Sequence, residues 1–175
     1  MYRHDRVEYL KNCHAHAVQN GYYVGQKLVR GAYMEKERER AQKMGYPSPI
    51  YPTKEATDKG YDDALRFCVE HIDRISICAG SHNENSALLL VELMAQNDIA
   101  NDDQRIYFSQ LFGMSDHISF NLASKGYCVV KYLPYGPVKS VLPYLFRRAQ
   151  ENTSAKGQAS RELKLISKEV ARRKV

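Results

Sequence analysis

Four short β-favouring runs alternate with segments of helical period along this chain, and few folds accept that alternation. The strand candidates are Tyr22 to Val29, Arg74 to Ala79, Ile106 to Ser109 and Tyr127 to Leu133. A leading helix spans residues 2–20 and is stopped by Gly21. Further helices are expected over Glu35 to Met44, from Thr57 or Asp58 to about His71, and from Asn83 or Asn85 through Met94. Others cover 115–124, about 137–151 and 159–173. Strands alternating with helices build parallel βαβ units with right-handed crossovers, so an α/β fold follows. The 175 residues suffice for a single domain: a leading helix to residue 21, four βα units over 22–152 and a basic C-terminal helix over 153–175.

Each strand candidate ends in polar, glycine-bearing sequence: Arg30-Gly31-Ala32-Tyr33, Gly80-Ser81-His82-Asn83, Gln110-Leu111-Phe112-Gly113-Met114 and Tyr132-Leu133-Pro134-Tyr135-Gly136. Ligand sites of parallel α/β folds gather at the carboxyl ends of their strands. Gly31, lacking a Cβ, either lets a flat ligand approach the backbone or simply ends a strand. Alternation puts Lys27, Val29 and Gly31 on one face and Leu28, Arg30 and Ala32 on the other. A lysine facing the core would require an accepting partner, whereas one facing solvent carries no message. His82 follows its strand directly, as a ligand contact or as a structural element. Beyond the fourth strand, Arg147 and Arg148 offer planar donor forks suited to a carboxylate or phosphate. Glu151, four residues after Arg147 and three after Arg148, can hold either one. The same run also reads as an ordinary surface ion pair.

Charge and cysteine usage exclude several classes. The net charge is +6, but Lys156, Arg161, Lys164, Lys168, Arg172, Arg173 and Lys174, set against Glu162 and Glu169, supply five of those charges. A nucleic-acid partner is therefore not expected. Leu163, Ile166 and Val170 make that tail a basic amphipathic helix, either docked on the domain or lying on an anionic membrane surface. Cys13, Cys68, Cys78 and Cys128 form no CxxC pair and read as buried reduced thiols. His14 and His16, two apart on a helix, make a poor metal chelate. No HExxH, GxSxG, P-loop or GxGxxG run occurs. The polar start argues against a secretory signal, and no stretch approaches a membrane span.

Taken together, several runs resemble the FAD-dependent proline dehydrogenases, the mitochondrial type and its bacterial relatives. They are Lys27-Leu28-Val29-Arg30-Gly31-Ala32-Tyr33, Ser81-His82-Asn83-Glu84 and Phe108-Ser109-Gln110-Leu111-Phe112-Gly113-Met114. Lys131-Tyr132-Leu133-Pro134-Tyr135-Gly136-Pro137, Tyr144-Leu145-Phe146-Arg147-Arg148-Ala149-Gln150-Glu151-Asn152 and the intervening Pro49 to Thr57 belong with them. The resemblance covers essentially the whole chain. It implies oxidation of L-proline to Δ1-pyrroline-5-carboxylate, with hydride passing to flavin N5 and electrons to a membrane quinone. It further implies that Arg147 and Arg148 clamp the proline carboxylate, that Glu151 anchors them, and that Tyr132 and Tyr144 shape the pocket. Lys27 falls where the family places a basic residue near the flavin N5, many bacterial members having arginine there. Val29, Arg30, Gly31 and Ala32 are expected to line the FAD, with Thr53, Ser81, His82 and Asn83.

The family's (β/α)8 barrel takes about 250 residues and eight strands. Four βα units therefore imply the C-terminal half of a TIM-like barrel, with Tyr2 falling just after the family's fourth strand. Such a half leaves sheet edges and an interior face open. The expectation is an incomplete chain, inactive or weakly active alone, that self-associates or takes an N-terminal half-barrel partner. The alternative is a non-catalytic half-barrel serving as an interaction or assembly module. By the resemblance, a bacterial chain would be cytoplasmic with peripheral contact to the inner membrane, and a eukaryotic one mitochondrial.

Overall fold

The computed structural model describes residues 1–154 and 156–173, with side chains at 149–162 and 165 outside the described ones. The element order is α1 (Arg6–Asn20), β1 (Val24–Val29), α2 (Met34–Met44), α3 (Lys54–Glu70), β2 (Ile75–Gly80) and α4 (Glu84–Gln96). There follow β3 (Ile106–Leu111), α5 (Asp116–Ser124), β4 (Val129–Tyr132), α6 (Val138–Ser154) and α7 (Lys156–Arg173). The four strands pair in parallel in the order β1-β2-β3-β4. This is the expected α/β architecture, each strand returned to the same end of the sheet through a helix. The chain separates into two compact units, Met1–Tyr132 and Leu133–Val175.

Several boundaries differ from the periodicity, three of them because backbone groups found other partners. The N–H of Tyr2 donates to Arg30 O at 3.1 Å and its carbonyl accepts from Tyr51 N at 2.9 Å. Arg3 then bridges to Ile50, so the first residues are extended and α1 starts at Arg6. Tyr22 donates its N–H to Ala17 O at 3.1 Å, closing the end of α1 around Gly21 (φ 75°), and β1 begins only at Val24. Helix α3 starts at Lys54, a turn before Thr57 or Asp58, because the Thr53 hydroxyl accepts from Ala56 N at 3.1 Å. Of the candidates for capping α4, Asn83 is the cap: its side-chain oxygen accepts from the N–H groups of Asn85 and Ser86.

The core lies on one face of the sheet. Leu28, Ile75, Ile77, Ala79, Ile106 and Phe108 pack there against Leu10 of α1, Tyr61, Leu65 and Cys68 of α3 and Leu90, Leu93 and Met94 of α4. Each large apolar side chain so buried contributes about 1.5–3 kcal/mol. Burial pushes the Cys68 thiol up to about 12, which makes it an inert part of that core. Cys13, Cys78 and Cys128 are free thiols that are only partly buried, contrary to the expectation of buried ones. Cys78, paired with Lys27 across the strands, faces away from the packed layer.

Within the first unit, α1, α3 and α4 all pack on the core face of the sheet and none of them covers the other face. Register aligns Val29, Gly80, Ser109 and Val130 across the four strands. The neighbouring row is Lys27, Cys78 and Tyr107, and Leu111 pairs with Tyr132. Val29, Val130 and Tyr132 are 42%, 38% and 45% exposed on this face. All-parallel sheets are ordinarily covered on both faces, so an uncovered apolar one requires an explanation.

Candidate functional site

Strand alternation settles where Lys27 points. Leu28 is buried against the helices, so Lys27 stands on the uncovered face. Its Nζ lies 5.5 Å from the centre of the Tyr132 ring, which comes from β4. A cation and an aromatic ring from the two outer strands thus approach each other over the sheet. Between them the row Val29, Gly80, Ser109 and Val130 carries only small side chains. A Cβ on Gly80 would meet Val29 Cγ1 at 2.8 Å and Leu28 O at 3.1 Å, so glycine is what keeps that strip low. The result is a low strip beside a cation, suited to a planar ring that carries or gains negative charge.

At the strand ends the polar side chains are joined to one another. Arg30 donates through Nε to Asp58 at 2.5 Å, through Nη1 to the Ser81 hydroxyl at 2.7 Å and through Nη2 to the Ser86 hydroxyl at 2.8 Å. Asp58 also accepts from Lys54 at 2.6 Å. Burial opposes ionisation of Asp58, but the hydrogen bonds from Lys54 and Arg30 outweigh it and hold its pKa below the ordinary value. Ser86 donates to Asp62 at 2.6 Å. Gln110, buried in β3, donates to Ser81 O at 3.3 Å and accepts from Ser119 at 2.9 Å.

The turn after β3 is tethered from both sides. His82 Nδ1 is 2.8 Å from the Ser115 hydroxyl, and His117 Nε2 is 2.7 Å from Glu84. Lys131 donates to Met114 O at 2.6 Å and to Asp116 at 2.7 Å. These contacts hold buried Ser115 in a left-handed conformation (φ 53°) that a non-glycine residue rarely adopts. Gly31 also has positive φ, at 99°, but the space a Cβ would take there is filled by the Tyr2 ring, 1.7 Å from the ideal position. The Tyr2 hydroxyl in turn donates to Glu37 at 2.9 Å.

The second unit carries the arginine pair on α6. The centre of the Arg147 guanidinium is 6.0 Å from the Tyr144 ring centre and that of Arg148 is 5.2 Å from it. Positions three and four residues after Tyr144 share its helix face, so both guanidinium groups gather around one ring. Both arginines are half-buried. The side chain of Glu151, their expected anchor, lies outside the described residues.

Of the two helical histidines, His14 serves packing and His16 is exposed. His14 stacks edge-on to Phe67 and to His71, and its pKa is lowered by burial and then by His71. His16 lies 2.6 Å from the Tyr22 hydroxyl. Sequence reasoning brought out Lys27, Val29, Arg30, Gly31, Ala32, Thr53, Ser81, His82 and Asn83 but missed Asp58, Ser86, Ser115 and Lys131, which bind the strand ends together. One signal was available: Asp58 and Asp62 recur one helical turn apart beside Tyr61. The partner of Asp58, Arg30, is 28 residues away from it, and that of Asp62, Ser86, is 24 residues away, both beyond any local pattern.

The sequence model described as proline dehydrogenase matches residues 1–161. Proline dehydrogenase 1, mitochondrial, of Drosophila melanogaster is 43% identical over 167 residues, which is 90% of this chain and 24% of that protein. The protein of the same name from Homo sapiens is 45% identical over 160 residues, 90% of this chain and 27% of the relative. Among solved structures, proline utilization A (PutA) from Bdellovibrio bacteriovorus, inactivated by N-propargylglycine, matches with a TM-score of 0.83 at 28% identity. That match covers 92% of this chain and 16% of the other. The chain thus spans 24% and 27% of the length of these two curated relatives.

Proposed function

Because this chain belongs to the proline dehydrogenase family, we propose that it supplies flavin- and substrate-binding strand ends for the oxidation of L-proline to Δ1-pyrroline-5-carboxylate. The low strip of Val29, Gly80, Ser109 and Val130, with the Lys27 ammonium beside it, fits the flat ring system of FAD. The chemistry supplied by bound FAD is acceptance of a hydride from the proline ring CH2 next to nitrogen, with electrons passed on to a quinone. Lys27 would place positive charge where negative charge accumulates. The backbone of Val29 to Ala32, together with Thr53, Ser81, His82 and Asn83, would line the cofactor. Tyr132 and Tyr144 would bound the substrate ring.

The observation that carries the substrate assignment is the gathering of Arg147 and Arg148 around Tyr144. Two planar donor forks fix both the position and the orientation of one carboxylate, and Glu151 would hold them in place. Hydride transfer then needs little acid–base help from the protein; it needs the proline ring held at reacting distance. A quinone acceptor implies contact with a membrane surface. Among the described residues no helix is long and apolar enough to cross a membrane, but α7 exposes Leu163, Ile166 and Val170 beside Lys164 and Lys168.

Titration of the FAD-supplemented chain with L-proline, followed calorimetrically, tests the clamp. Arg147→Ala and Arg148→Ala are each expected to weaken binding by about 1.5–3 kcal/mol, roughly ten- to hundredfold. Pyrrolidine, which lacks the carboxylate, should bind all three proteins alike. Unchanged proline affinity in both variants would sink the assignment.

A further inference from the structure

We infer that Arg30 is a positioning residue, not a flavin ligand: its guanidinium braces two cofactor-lining segments, the start of α3 and the Ser81–Asn83 turn, against the end of β1. This rests on the functional reading above and changes the role of one residue in it. By strand alternation Arg30 shares the face of buried Leu28, away from the open strip that carries Lys27. All three of its nitrogens have acceptors, on three different parts of the chain: Asp58 in α3, Ser81 after β2 and Ser86 in α4. Beneath it lies the buried Tyr61 ring, 4.2 Å from the guanidinium carbon. A planar fork over an aromatic ring can satisfy such a set; an ammonium cannot span it.

Ser81 is the piece most tightly determined by this arrangement. Its hydroxyl accepts from Arg30 and also from Asn83 N at 3.1 Å, its N–H donates to Ser109 O at 3.1 Å, and its carbonyl accepts from Gln110. Asn83, oriented by that serine, caps α4, whose first turn carries Ser86 back to Arg30. On the other side Asp58 lies one turn into the helix that Thr53 caps. Thr53 and Ser81, distant in sequence and both assigned to the cofactor, are therefore linked through one side chain. Asp58 and Ser86 become part of the cofactor site without touching its ligand.

The test uses the 175-residue chain with Arg30→Met, Arg30→Lys and Ser86→Ala, and Leu93→Ala as a core-destabilised control. Amide hydrogen exchange of the flavin-free proteins is expected to show faster exchange at Ala56, Asn83, Asn85 and Ser86 in Arg30→Met, with the sheet interior unchanged. FAD titration well below each melting temperature is expected to give a dissociation constant raised about tenfold in Arg30→Met, a loss of about 1.4 kcal/mol. Ser86→Ala, which removes one arm and folds more readily, should show a smaller rise, and Arg30→Lys should not restore affinity. Leu93→Ala should lower the melting temperature and leave FAD affinity as in the wild type. Exchange that speeds up evenly across the molecule, or FAD affinity unchanged in both Arg30→Met and Ser86→Ala, would overturn the inference. Wild-type chain that takes up no FAD would overturn the functional reading instead, and the exchange pattern would still decide whether Arg30 is the brace.

Discussion

Asp58 shows how one residue ties stability to pH in this protein. It is 22% exposed, Arg30 is 21% exposed, and the pair meets at 2.5 Å. Because its pKa is lower in the folded state, its contribution is present above the unfolded aspartate value, about 3.9, and is lost as pH falls through the folded value. Asp58→Asn leaves the Arg30 charge half-buried without its counter-charge, which is expected to remove about 1.5–3 kcal/mol at pH 7. Thermal melts from pH 7 to pH 3 check the sign: the gap between wild type and Asp58→Asn should be full at neutral pH and narrow below about pH 4. A gap that widens on acidification would contradict the pairing. None of this was legible from Asp58 itself, which reads in sequence as a helix cap; Lys27, by contrast, was legible as a strand residue but not as facing the open side.

At the scale of elements, caps decide where the chemistry sits. Asn83 and Asn85 are equivalent candidates by composition, and only backbone geometry separates them. Asn83 accepts from two N–H groups at the start of α4, while Asn85 is an exposed first-turn residue. Asn83→Ala is expected to destabilise by about 1 kcal/mol and Asn85→Ala by only a few tenths, measurable by urea unfolding. Equal effects would mean that α4 starts elsewhere. The same logic moved α3 a turn earlier, which puts Asp58 inside the helix and within reach of Arg30. Periodicity located the helices of the first unit well because each of them buries part of one face. It missed the start of α1 because Tyr2 bonds Arg30 and Tyr51, far away in sequence, and that of α3 because Thr53, Thr57 and Asp58 are all residue types that cap helices.

For the whole molecule the governing fact is asymmetry across the sheet. One face is packed with α1, α3 and α4; the other presents Val29, Val130 and Tyr132, and β1 and β4 each pair on one side only among the described residues. Open strand edges and an apolar face favour association. The isolated chain is expected to sediment as a dimer or larger species at micromolar concentration, and Val130→Lys, on the open face of the edge strand β4, to shift it toward monomer. A wild-type chain that stays monomeric at every concentration would show that this face is tolerated in water.

The sequence by itself determined the alternation of strands and helices, the strand-end positions of the glycines and polar groups, and the family, because these are carried by local periodicity and by contiguous runs. Only the tertiary structure decided which side of the sheet is buried and therefore that Lys27 faces Tyr132 while Arg30 turns back to Asp58, Ser81 and Ser86. Alternation divides a strand into two faces without saying which one the helices will cover. That choice is made by packing between segments distant in the chain, and it turns Lys27 and Arg30, three residues apart, to opposite sides of the sheet.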